Sequence, residues 1–157
     1  MTTAGIYDLL RELPFFSNLG ESALRFIAGC GQNVHFAADE YIFRENQPAD
    51  AFHIVRAGHV ALEIASPDRG SLMVQTVGEG EVLGVSWLFP PYRWQFDAHA
   101  LEPTRAISFD ATCLRAKCDE DPALGYELMQ RLAETMSRRL RSARIRMLDL
   151  YSHAGTS

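Results

Sequence analysis

The stretch GVSWLFPPYRWQFDAHA, Gly84 to Ala100, holds the groups of this chain best suited to engage a ligand. Gly84 leaves a backbone amide open to close approach, Ser86 offers a hydroxyl, and Gln95 an amide. Arg93 offers a planar guanidinium that can grip an oxyanion through two parallel hydrogen bonds. Trp87 and Trp94 add two large flat rings, and Val85 stands between the glycine and the serine. These residues support two readings. Either the tryptophans line an aromatic pocket with Ser86, Arg93 and Gln95 as its polar points, or Trp87, Phe89, Trp94 and Phe96 fill the cavity and close it.

Other chemistry is poorly represented. The five histidines (His35, His53, His59, His99 and His153) are scattered and lack the His-x-His with a spaced Glu that a roll-shaped metal enzyme uses, so no metal site is expected. No GxSxG, GK[ST] or paired-carboxylate arrangement stands out, no catalytic residue is assigned, and a non-enzymatic chain is expected. Cys30, Cys113 and Cys118 form an odd set without CxxC spacing. They read as small buried or half-buried residues, with no disulfide expected and a thiol sensor built on Cys113 and Cys118 as the weaker alternative.

The elements that must position the central stretch follow from composition and periodicity. With 157 residues, 47% hydrophobic and 22% charged, the chain reads as one globular domain, 1–157, able to bury a core. No apolar run approaches the roughly 18 residues that span a bilayer, and Asp8, Arg11 and Glu12 interrupt any leader-peptide pattern, so no membrane contact and a cytoplasmic location are expected. Charge is divided unevenly. Residues 1 to 130 hold 9 Lys and Arg against 18 Asp and Glu, whereas residues 131 to 146 hold six Arg against Glu134 alone. An acidic body is a poor general binder of nucleic acid.

Residues 1–31 carry two short amphipathic patterns, IYDLLREL and ESALRFIAGC, with Pro14 ending the first and Ser17 or Asn18 placed to cap the second. Residues 32–109 change to short β-type runs: NVHF, EYIFR, AFHIVRA, HVALEIA, SLMVQTV, FDAHAL and TRAISF. Asn46 and Gly58 stand where turns demand a residue tolerant of positive φ. Residues 110–153 return to helix, first DATCLRAKC and then, after DEDP, a helix of about 30 residues. The fold expected is α+β, mainly β: an antiparallel β-roll or jelly roll flanked by N-terminal helices and a long C-terminal helix. On that last helix Met136, Leu140, Ala143, Met147 and Leu150 continue an apolar stripe at alternating four- and three-residue steps. The stripe reads as a homodimer seam, or else as one amphipathic helix covering its own core.

In order and spacing, FAADEYIFRENQPAD, FHIVRAGHVALEI and VGEGEVLG leading into the central stretch resemble the cyclic nucleotide-binding domain of the catabolite-activator and protein-kinase regulatory-subunit families. The resemblance runs from LPFFSNL through RRLRS. It implies a regulatory domain, a ligand that is a cyclic nucleotide or another small molecule, no other cofactor, and an unidentified protein partner. In that family a cassette opening on Gly-Glu and closing on Arg holds the ligand, with helix amides and Arg on the cyclic phosphate and Glu on the ribose. Here Gly84, Leu88 and Ala100 match, Val85 stands at the Glu position, Trp94 at the Arg position, and Trp87 where small residues are usual. Arg93 is one place off. The family's base-covering turn falls on Ser142, Ala143 and Arg144, where Ser142 would bond the base edge and Arg144 stack on it; the other reading of these arginines is a solvated basic face. The family's transcription factors continue into a DNA-reading module, whereas this sequence stops within ten residues of the long helix, so no specific DNA binding is expected.

Overall fold

The computed structural model of the chain describes residues 3–155, which form two compact units, one up to Glu120 and one from Asp121 onward. In the first unit, α1 (Thr3–Glu12) and α2 (Glu21–Ala28) present Ile6, Leu10, Leu24 and Ile27 as buried faces at helical spacing. Pro14 opens a single 3₁₀ turn, Pro14–Phe16, rather than only ending α1. Asn18 then takes a positive φ of 69° and redirects the chain. Gly20, not Ser17 or Asn18, therefore stands at the N-cap of α2, with no side-chain cap bond.

All seven expected strands form: β1 (Gly31–Phe36), β2 (Tyr41–Phe43), β3 (Ala51–Ala57), β4 (Val60–Ser66), β5 (Gly70–Val77), β6 (Asp97–Ala100) and β7 (Thr104–Asp110). They make two antiparallel sheets, ordered β1-β7-β3 and β2-β6-β4-β5. Asn46 and Gly58 both adopt positive φ, at 72° and 102°. At Gly58 an added Cβ would stand 2.6 Å from the Thr104 hydroxyl and 2.8 Å from the Pro103 carbonyl, so glycine is a steric requirement there.

The strand β3 organises the core because successive side chains on a strand point to opposite faces. Phe52 faces Phe15, Phe109 and Trp87. His53, the next residue, faces Phe36, Phe43 and Trp94. Two aromatic clusters thus lie back to back across one strand.

β7 leads directly into α3 (Ala111–Glu120), where the Asp110 carboxylate accepts the Cys113 amide at 2.8 Å as an N-cap. The expectation of reduced cysteines fails here: Cys30 and Cys113 form a disulfide across 83 residues of sequence, because β1 and β7 are neighbours in one sheet and bring the end of α2 beside the start of α3. Cys113 and Cys118 are not partners. Five residues of α-helix place them about 140° apart around α3.

The second unit is α4 (Pro122–Gly155), 34 residues or about 50 Å of helix, opened by Pro122 and capped by Asp121, which accepts the Leu124 amide at 3.2 Å. From Arg141 to Ser152 every residue is exposed. Among the described residues no helix is long and apolar enough to cross a membrane.

Candidate functional site

The central stretch leaves β3's neighbourhood at Leu83, whose amide bonds the His53 carbonyl at 3.1 Å, and rejoins the sheet at β6. Between these points two turns close, Leu88 amide to Val85 carbonyl and Tyr92 amide to Phe89 carbonyl, each at 3.0 Å. The Pro90-Pro91 peptide bond is cis and Tyr92 has a φ of 55°. Residues 92–94 then pair with the 46–49 turn: Asn46 amide to Trp94 carbonyl at 2.8 Å, Trp94 amide to Gln47 carbonyl at 3.0 Å, and Ala49 amide to Tyr92 carbonyl at 2.7 Å. Asp97 closes the loop by accepting the Glu45 amide at 2.7 Å with Arg44 Nε 3.4 Å away.

This path separates the two tryptophans. Trp87 is fully buried, its ring 5.0 Å from Phe52 in a stacked arrangement. Trp94, 3% exposed, lies against Phe43 with ring centroids 3.7 Å apart and planes 5° from parallel. Since Phe52 and His53 point to opposite faces of β3, Trp87 and Trp94 occupy different ring clusters. The burial of both rings accords with the reading from sequence in which they fill space, here in two clusters.

Within the first unit the polar groups of the loop do not converge either. Arg93 is exposed and donates to the Asn46 carbonyl at 3.0 Å, so it does not turn inward. Gln95, also exposed, donates its amide to the Arg93 carbonyl at 3.1 Å. Ser86 is buried and Val85 half-buried. Beside Gly84 the space is taken: a Cβ there would meet Phe96 at 3.1 Å and Trp94 at 3.3 Å. Ser142 and Arg144 lie on α4, in the other unit, and are exposed. Val85 thus carries no carboxylate for a ribose hydroxyl, Trp94 no guanidinium for a phosphate, and the Arg93 guanidinium bonds the Asn46 carbonyl.

Three residues that the sequence reading passed over hold the segment in place. Asp97 fastens its end, as described. Arg115 on α3 donates to the Trp87 carbonyl and lies 4.3 Å over the Tyr92 ring, a cation–π contact from outside the segment. His53 sits buried among the rings of Phe36, Phe43 and Trp94 with Nδ1 lacking any partner, and burial lowers its pKa from 6.5 to about 4. The Trp87 indole N–H is likewise buried without an acceptor. No group of three or more His, Cys, Asp or Glu able to hold a metal occurs among the described residues.

Beside the roll, its glycine turn and the 84–97 loop, comparison with known proteins gives a consistent result. The cyclic nucleotide-binding domain model matches residues 33–121. The chain belongs to that family. Among its relatives, a CRP-like cAMP-activated global transcriptional regulator of Mycobacterium tuberculosis is 25% identical over 143 residues, covering 91% of this chain and 62% of its own length. A Geobacter metallireducens protein described as cyclic nucleotide-binding has a solved structure that superimposes with a TM-score of 0.76 at 32% identity, covering 85% of this chain and 96% of that one. The cAMP-bound regulatory domain of Toxoplasma gondii PKA shares the fold, with a TM-score of 0.68 at 14% identity over 89% of this chain and 50% of that one. This cyclic nucleotide-binding domain thus keeps the family's architecture.

The burial of His53 makes stability pH-dependent in a defined window. Above about pH 6.5 the ring is neutral in both native and unfolded chains and contributes no slope. Between 6.5 and about 4 the unfolded chain takes up a proton that the native ring refuses, so stability falls as pH falls, by on the order of 3 kcal/mol for this group. Urea unfolding across that window should show the decline in the wild type and a shallower one in His53→Phe. Equal slopes in the two proteins would contradict the assignment.

Proposed function

We propose that this cyclic nucleotide-binding domain is a non-enzymatic regulatory module whose cassette position serves as aromatic core, and that it acts through protein contacts rather than by gripping cAMP or cGMP in the family manner. The observation that carries this reading is Trp94, stacked on Phe43 at 3.7 Å where the family's cassette arginine belongs. Replacing that arginine removes a charge-assisted, bidentate contact, and each 1.4 kcal/mol so lost weakens binding about tenfold. The acidic balance of residues 1 to 130 speaks against specific DNA binding as the output.

The contact surface assigned to the module is the C-terminal half of α4, through which two copies would pair using Met136, Leu140, Ala143, Met147 and Leu150. Supporting this, Leu140, Met147 and Leu150 are 53%, 57% and 71% exposed, and an unpaired helix carrying so much apolar surface gains by association. Ile145, Leu148 and Tyr151 extend the exposed apolar surface.

Two measurements test the reading. Titration calorimetry with cAMP and with cGMP should give no saturable heat at micromolar concentrations, and the melting temperature should not rise with either nucleotide. Micromolar saturation by either would overturn the ligand-free assignment. Sedimentation equilibrium should find a dimer that Leu140→Glu with Met147→Glu converts to monomer; a wild-type monomer at the same concentrations would remove the dimer.

A further inference from the structure

The Cys30–Cys113 disulfide plays no part in the reading above, yet its connections lead to the cassette-position loop. Cys30 stands between α2 and β1, and Cys113 lies in the first turn of α3. Two residues beyond Cys113, Arg115 holds both the Trp87 carbonyl and the face of Tyr92. The disulfide therefore pins the turn of helix that presents the loop's outside anchor.

Cys30 also lines a cavity of about 560 Å³, together with Gln32, Asp50, His53, Ser108 and Asp110, and Cys113 is not part of its wall. Gln32, Ser108 and His53 are register partners across β1, β7 and β3, so they form a polar row on one face of that sheet. His53 is buried there, with Nδ1 unpartnered. Asp50 and Asp110 also line it; although the Asp110 carboxylate caps α3, the two negative charges favour a cationic guest.

We propose that Cys30 is a thiol-exchange site, in which a small cationic aminothiol enters this cavity, attacks Cys30 and releases Cys113, unclamping Arg115 from the loop. Of the two bonded cysteines only Cys30 lines the cavity, so a thiol held there meets Cys30 first. The incoming sulfur bonds to Cys30 Sγ, the Cys30–Cys113 bond breaks, and Cys113 leaves as a thiolate that takes a proton from solvent. A second aminothiol attacks the mixed disulfide, leaving Cys30 as a thiol and the two small molecules joined as their own disulfide. Two electrons thus pass from two thiols to the protein. This goes beyond the proposed function and holds whether or not a nucleotide binds.

The test uses the full chain with cysteamine as the cationic probe and 2-mercaptoethanesulfonate as the anionic one. Peptide mapping under limiting thiol should place the adduct on Cys30, and cysteamine should react several-fold faster, with the advantage shrinking as salt rises. Hydrogen exchange in 84–92 should accelerate about tenfold on reduction, the loss expected for one hydrogen bond to a charged group, while residues 46–49 stay unchanged. Oxidised Arg115→Ala should reproduce that acceleration without reductant, and Cys118→Ser should behave as wild type. An adduct on Cys113, equal rates for the two thiols, or unchanged exchange in 84–92 would overturn the proposal.

Discussion

Trp94 lies flat on Phe43 with ring centroids 3.7 Å apart, and the course of the whole 84–97 segment is tied to that contact. Holding the indole there requires the 92–94 backbone to run beside the 46–49 turn, which it does through three hydrogen bonds. That course leaves Arg93 on the solvent side, bonded to Asn46. It also brings Phe96 and Trp94 against Gly84, taking the space in which a ligand would approach the glycine backbone. One stacked pair thus goes with both the outward course of Arg93 and the filled space beside Gly84.

The second constraint is the alternation of β3. Phe52 and His53 divide the unit's rings into two clusters, and Trp87 and Trp94 enter from the same loop to opposite sides of the strand. A buried imidazole at the centre of one cluster escapes the larger cost of a buried charge while it is neutral, and burial, by lowering its pKa, keeps it neutral at neutral pH. Outside the clusters, Arg115 and Asp97 are the polar fastenings that fix where the loop begins and ends its excursion. The disulfide acts one step further out, on the helix that carries Arg115.

Much of the fold was legible in the order of residues because its signals are local. The seven strands are short runs that alternate or stay apolar between turn residues, Asn46 and Gly58 sit at the positive-φ turns, and Asp110 and Asp121 precede the helices they cap. What the residues alone did not reveal depends on contacts between distant segments. Cys30 and Cys113 are 83 residues apart and meet only because β1 and β7 pair. Arg115 belongs to a helix that carries no cassette signature, so nothing marked it as an anchor for Trp87 and Tyr92. The side taken by each tryptophan was hidden for a related reason: it depends on which β3 residue each ring meets, and Phe52 and His53 are both plausible ring partners in sequence.

The central claim is that Trp94 is core rather than the wall of an open site, and the unfolding free energy of Trp94→Ala measures it most directly. A core indole removed to alanine costs about 3–5 kcal/mol, through lost burial and the cavity left behind. The account predicts a loss in that range by urea denaturation at neutral pH. A loss below about 1 kcal/mol, the size expected for a side chain at the edge of an accessible pocket, would contradict it.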